Sequence, residues 1–307
     1  MSLPQDPNPG SPFALQLPAF ASIRLRSFSA AGEALSQSTG FVVEATNGAP
    51  YLIANHSFLA SGSVGSAQRE GFSASAPAAL IAEFNRGGSS NEWIPRVLPL
   101  GDRDGKPLWR ESSREGGKVD VAALPLDFDL AAEHIELAAY DHQFTAAQLD
   151  LASELYVIGY PTTYDPQRAF GMYGIWMRGT LAWPPELDWY DLPCMLVDAR
   201  TDNGSVGSPV IFWAPSGHPY IDRRGNSEVG PIWSLEGVYG GQIQANPELG
   251  IVWKKSVIAE LLDNGTIPAK KEVPTLLAAG QEAVAEEATR SLRPSQHAAQ
   301  PADRSGV

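Results

Sequence analysis

Thr201-Asp-Asn-Gly204-Ser205-Val206-Gly207-Ser208-Pro209-Val210-Ile211 is the stretch that organises the rest of the chain. A glycine-rich turn runs into Ser-Pro and then into a β-branched run. Glycines let successive backbone N–H groups turn toward one point, where a Cβ would otherwise stand in the way. Converging N–H groups are what stabilises a developing oxyanion. The stretch therefore reads as a loop laid out for an oxyanion hole, followed by a strand.

Outward from it, short apolar runs alternate with turn signals. Residues 19–28 pair Ile23 and Leu25 against Arg24 and Arg26, the period of a strand. Ser38–Val43 and Pro50–Ala54 are joined through Asn47-Gly48, a hairpin signal. Further strands are expected at 93–100, 119–126, 155–161, 174–182, 194–198 and 249–255, with a strand pair around a glycine bend at 233–243. Residues 61–79 read as a long loop, 144–154 as helix-like, and 256–265 as a helix with Ser at its start and Gly at its end. The many short strands point to an all-β barrel or sandwich. Residues 1–18 read as a disordered leader. Within a flexible tail over 267–307, residues 270–292 read as a loose amphipathic helix, and 293–307, rich in Ser, Pro, Gln and Ala, as a disordered tail.

Composition narrows the function classes. The net charge of −13 with no basic patch argues against nucleic acid and anionic membrane surfaces as partners. Cys194 is the one cysteine, so the fold rests on its core rather than on a disulfide. Its apolar surroundings suggest an inert thiol. No apolar run is long enough for a membrane span, and the Pro-rich start lacks the features of a signal peptide, so a cytoplasmic location is expected. His134, His142, His218 and His297 show no ligand spacing, and no metal or cofactor motif is present, so none is expected.

Several stretches together resemble the trypsin-like (chymotrypsin-fold) serine peptidases of bacterial type. These are Thr39–Val43 with the hairpin to His56, then Val119-Asp120-Val-Ala-Ala-Leu and Leu155–Pro161. Ile175–Thr180, the Gly204 loop and Leu249–Lys254 follow in the family's order, so the resemblance covers roughly 20–265. It implies two six-stranded antiparallel barrels, about 19–140 and 141–266, with a C-terminal helix and a peptide site in the cleft between them. The family reaction is peptide-bond hydrolysis, in which a histidine activates a serine and an aspartate orients that histidine.

The resemblance places the histidine at His56, the aspartate at Asp120 and the nucleophile at Val206, with Gly204 and Val206 N–H groups as the oxyanion hole. Gly204, Gly207, Ser208, Pro209 and Val210 fit the family loop, and Ile53 departs from the hydroxyl residue usual before the histidine. It also places the specificity pocket between Arg200 and the Tyr239-Gly240-Gly241 bend. A valine cannot attack a carbonyl, whereas Ser205 lies one residue early and Ser208 two late. Three functions stay open: a peptide-binding pseudoprotease, an active endopeptidase with a shifted nucleophile, and a non-catalytic scaffold. In the first two, the partner is a protein or peptide in the cleft.

Overall fold

The computed structural model describes residues 17–61, 76–86, 93–113, 119–128, 135, 137–162, 173–243, 246–268 and 272–291. Most of the leader, the core of the 61–79 loop and the whole 293–307 segment lie outside them.

The first sheet comprises β1 (Ser22–Phe28), β2 (Ala34–Glu44), β3 (Pro50–Ala54), β4 (Ala79–Asn85), β5 (Trp93–Pro99), β6 (Arg110–Glu111), β7 (Ala122–Pro125) and β8 (Ala139–Tyr140). Its order is β5-β4-β1-β2-β3-β7-β6, with β8 laid parallel on β2. Beyond β5 and before β6, Leu108 N–H donates to the Leu100 carbonyl (2.9 Å), so the sheet curls back on itself. The two-residue strands β6 and β8 take it beyond the six strands expected, to eight. A short helical turn, α1 (Leu17–Ala21), precedes β1.

The second sheet holds β9 (Glu154–Gly159), β10 (Ile175–Thr180), β11 (Cys194–Val197) and β12 (Pro209–Ala214). A side hairpin, β13 (Pro219–Ile221) and β14 (Ser227–Val229), precedes β15 (Ile232–Ile243) and β16 (Asn246–Lys254), which complete the sheet. The order is β10-β9-β12-β15-β16-β11, all neighbours antiparallel. Asp198 N–H to Thr180 O and Ala182 N–H to Leu196 O join the two edges, and the six strands close into a barrel. Apart from the small additions, both sheets run through their strands in the same cyclic order.

Burial explains why the strands read as continuous apolar runs. Val42, Leu52, Ala54 and Leu124 fill the first barrel, while their neighbours Phe41, Val43, Tyr51 and Ile53 point out of it. Those outward residues meet Ile158, Ile211, Leu235 and Trp253 from the outside of the second barrel. α3 (Ser256–Asn264) closes this middle core with Val257, Ile258 and Leu261. The second barrel is filled by Leu155, Val157, Val197, Val210, Tyr239 and Val252. A strand buried on both faces has no polar alternation to show.

Three expectations change. Residues 144–153 form no helix, because their N–H groups serve local turns and distant strands instead: Phe144 donates to Asp141 Oδ1, Gln148 to Ile221 O and Ala152 to Leu181 O. The 233–243 pair is one long bulged strand, β15. The loose helix expected within a flexible tail is Ala278–Ser291, α4, and it is docked on the first barrel. Val284 is fully buried there, and Glu287 accepts from Arg26 at 2.6 Å. Gly280 meets the Ala30 carbonyl so closely that a Cβ would lie 2.3 Å from it.

Candidate active site

The nucleophile-type loop sits where the barrels meet. Asn203–Ser205 forms a single 3-10 turn entered at Asp202, whose side chain accepts from Gly204 N at 3.0 Å. The next donors are also taken internally: Ser205 N by Asp202 O (3.0 Å), Val206 N by Asn203 O (3.3 Å), Gly207 N by Tyr239 O (2.8 Å) and Ser208 N by Ser205 O (3.1 Å). Five consecutive N–H groups, from Gly204 to Ser208, thus donate within the protein. A buried amide already bonded is not available to an oxyanion without breaking that bond.

The first barrel takes up the carbonyls. Val206 O accepts from Thr39 N (3.0 Å) and Ser38 Oγ (2.6 Å), and Gly204 O accepts from Thr39 Oγ1 (2.8 Å). The Thr39 hydroxyl oxygen in turn accepts from Tyr160 N at 2.9 Å, tying the second barrel into the same joint. Val206 is buried and carries no hydroxyl. Ser205 Oγ points to Met177 Sδ and Asp202 Oδ1, both at 3.4 Å. Ser208 Oγ is buried without a hydrogen-bond partner.

Asp120 and His56 are not brought together. The carboxylate of Asp120 accepts from Ser57 N (2.6 Å) and Ser57 Oγ (2.8 Å) and from Asn55 Nδ2 (2.9 Å). It thereby caps α2 (His56–Ser61), a six-residue helix that starts where β3 ends. The residue held by the aspartate is Ser57, one position after the expected histidine. His56 turns away, with Nε2 2.9 Å from Glu111 Oε2 but poorly aligned for a hydrogen bond, and its ring edge-on to Trp109. Among the described residues His56 bonds to neither Ser205 nor Ser208. Asn55 does reach the loop: a Cβ on Gly207 would lie 3.1 Å from its Oδ1. The one signal in the sequence was Ile53, which departs from the family pattern and is wholly buried in the middle core.

The expected specificity pocket is filled. Tyr239 lies inside the second barrel, its hydroxyl bonded to Thr201 Oγ1. Its ring packs so tightly on Gly250 that a Cβ there would be 2.4 Å away. Burial pushes the phenol up to about 12. Gly240 lies against the Trp253 indole, and Gly241 takes φ +101 within the β15 bulge. Gln242 Nε2 donates to Thr201 O (2.9 Å) and straps the two sides of the supposed pocket together. Arg200 is exposed, while Asp198 and Asp202 are engaged by Thr180 and by Gly204 and Thr162.

Two barrels of one cyclic order, joined at the loop after β11, settle the architecture. The fold is chymotrypsin-like. No family model matches the chain, and no curated protein matches it. Among solved structures it is similar to the Rv3671c protease from M. tuberculosis in its active form, at 14% identity and TM-score 0.44, over 85% of this chain and 87% of that one. The inactive form gives 15% and 0.41, over 80% and 88%. The serine endoprotease from Yersinia pestis gives 12% and 0.43, over 80% of this chain and 62% of that one. Likenesses this distant say nothing about chemistry, which has to be read from the geometry.

Away from the loop, Glu236 is buried with Ser234 Oγ and Lys255 against it, and burial raises its carboxyl and lowers the Lys255 ammonium. Cys194 is fully buried, and burial pushes its thiol up to about 11. Among the described residues no group of three or more His, Cys, Asp or Glu could hold a metal ion, and no helix is long and apolar enough to cross a membrane.

Proposed function

We propose that this chain is a hydrolytically silent protein of chymotrypsin-like fold, a pseudoprotease that binds protein or peptide without cutting it. The observation that carries the reading is the Gly204–Ser208 loop, whose five amides are all donated internally. Hydrolysis needs those donors free at the oxyanion and a serine within reach of a base. Here the nucleophile-type position holds Val206, and Ser205 faces Met177 and Asp202. Asp120 spends its carboxylate on Ser57 and Asn55. The burial of Tyr239 favours a second reading, the scaffold, in which partners dock on the outer surface rather than in a specificity pocket.

Fluorophosphonate labelling tests the silence, because the probe reports an activated serine without a known substrate. The native chain is expected to stay unlabelled, and so is the Val206→Ser variant, for want of both donors and a base. Labelling of the native chain that Ser205→Ala abolishes would overturn the proposal in favour of a live site in a shifted register.

A further inference from the structure

The connection between β10 and β11 carries an aromatic platform that the nucleophile-type loop does not use. Trp183, Trp189 and Tyr190 stack edge to face in series, with ring centroids 4.7 Å apart at each step. Tyr190 is 80% exposed and Leu187 is 53% exposed. Large apolar groups gathered at one exposed place mark interaction surfaces far more often than scattered ones do.

Two features show that the platform is built rather than loose. Tyr190 and Asp191 take positive φ, 52 and 60, as the two central residues of a tight turn that pairs Trp189 with Leu192 and fixes where the Tyr190 ring stands. The surroundings here are clear: Lys254 Nζ holds Asp188 Oδ1 (2.7 Å) and Leu187 O (3.0 Å), and Trp189 N donates to Cys194 O (3.3 Å). In addition, the Trp183 indole nitrogen is buried with no hydrogen-bond partner among the described residues.

Charge selects the occupant. Glu186 and Asp191 flank the aromatics, both exposed, and neither forms an ion pair among the described residues. Aromatic faces attract guanidinium and ammonium groups, and free carboxylates beside them add to that attraction. A second copy of this chain, at net charge −13, meets repulsion there, and so do nucleic acids and anionic membranes. We propose that the Trp183–Asp191 loop is a docking surface for a cationic protein segment, one that pairs arginine or lysine with apolar side chains. The proposal stands whether or not the Gly204 loop is silent, since it shares no residue with that loop.

The test is selection of short random peptides on the full native chain, followed by fluorescence polarisation with the best labelled peptide. Tyr190→Asn removes the ring and leaves a residue that tolerates positive φ. The expected peptides are rich in Arg or Lys beside apolar residues. Their Kd should rise about ten-fold in Tyr190→Asn, as for a central aromatic contact. In a Glu186→Gln/Asp191→Asn double variant the rise should be about three-fold, as for rim charges. Asp222→Asn/Glu228→Gln, on the β13–β14 hairpin, removes the same charge elsewhere and should change nothing. Several results would overturn the assignment: no enrichment on the native chain, selected peptides without cationic side chains, or equal affinity for Tyr190→Asn. Self-association of the native chain that Tyr190→Asn dissolves would give the face to a second copy instead.

Discussion

Replacing Asp120 by alanine separates two roles for that carboxylate. In a live triad an aspartate orients a histidine, and its loss costs activity far more than stability. In this protein it caps α2 and holds Asn55. Ser57 N donates to it at 2.6 Å, Ser57 Oγ at 2.8 Å and Asn55 Nδ2 at 2.9 Å. Losing a helix N-cap costs about 1 kcal/mol. Asn55 is fully buried, so weakening its amide contact adds about 1 kcal/mol, tempered because Nδ2 also reaches the Asp120 carbonyl at 3.0 Å. The Ser57 hydroxyl adds little, because water can replace the carboxylate there. The expected total for Asp120→Ala is about 2 kcal/mol. His56→Ala should cost under about 1 kcal/mol, since the His56–Glu111 pair is partly exposed at 22% and 28%. Urea unfolding followed by tryptophan fluorescence measures both variants. If Asp120→Ala stays within about 0.5 kcal/mol of native, or His56→Ala is the more damaging, the capping account is wrong.

Three further outcomes follow from single contacts. Gly207→Ala should cost more than about 3 kcal/mol and leave little soluble protein, because φ is +84 and a Cβ would lie 2.1 Å from Thr39 O. Gly217→Ala, at φ +81 in open space, should cost only about 1 kcal/mol, so equal losses would show that the loop has room. Tyr239 has its phenol raised from 10.0 to about 12, so its contribution is complete below pH 10 and is lost as pH rises through 12. Urea midpoints should therefore fall across that window, and less steeply in Tyr239→Phe. Val284→Glu places a charge in the buried contact of α4 and should release that helix. Hydrogen exchange over 278–291 would then rise to solvent rates while the barrels stay protected, and unchanged protection would mean that the docking does not depend on this contact.

The strands were largely legible because each barrel strand is a short apolar run closed by a turn signal. β4 escaped because Ala-Leu-Ile-Ala-Glu-Phe-Asn carries an acid in its middle. In the structure Glu83 is wholly buried, neutralised by Arg24 at 3.4 Å and Arg26 at 3.2 Å on the neighbouring strand. That pairing is a matter of register, which no local pattern displays. The helix-like patch at 144–154 failed in part for the same reason, as some of its donors are claimed from distant chain. α4 showed only a weak amphipathic stripe, and its place depends on Gly32 and Gly280 letting two backbones meet. The site was legible in outline and not in contacts. Asp120 and the Gly204 loop could be located by pattern, but which neighbour the carboxylate holds was decided by where β3 stops and α2 begins.

The loop glycines show that one motif can answer to packing as well as to chemistry. Read as sequence, Gly204 and Gly207 turn amides toward an oxyanion. Read in three dimensions, each is required by a close approach of backbone: a Cβ on Gly204 would lie 2.3 Å from Tyr160 O, and one on Gly207 2.1 Å from Thr39 O. Both contacts belong to the joint between the barrels, where Thr39 also gathers Gly204 O and Tyr160 N through one hydroxyl. A joint of this kind constrains the loop whether or not a substrate ever binds. The same two glycines are therefore required by packing, independently of any chemistry at the loop. The amides are held by the nearest acceptors, Asp202, Asn203, Ser205 and Tyr239.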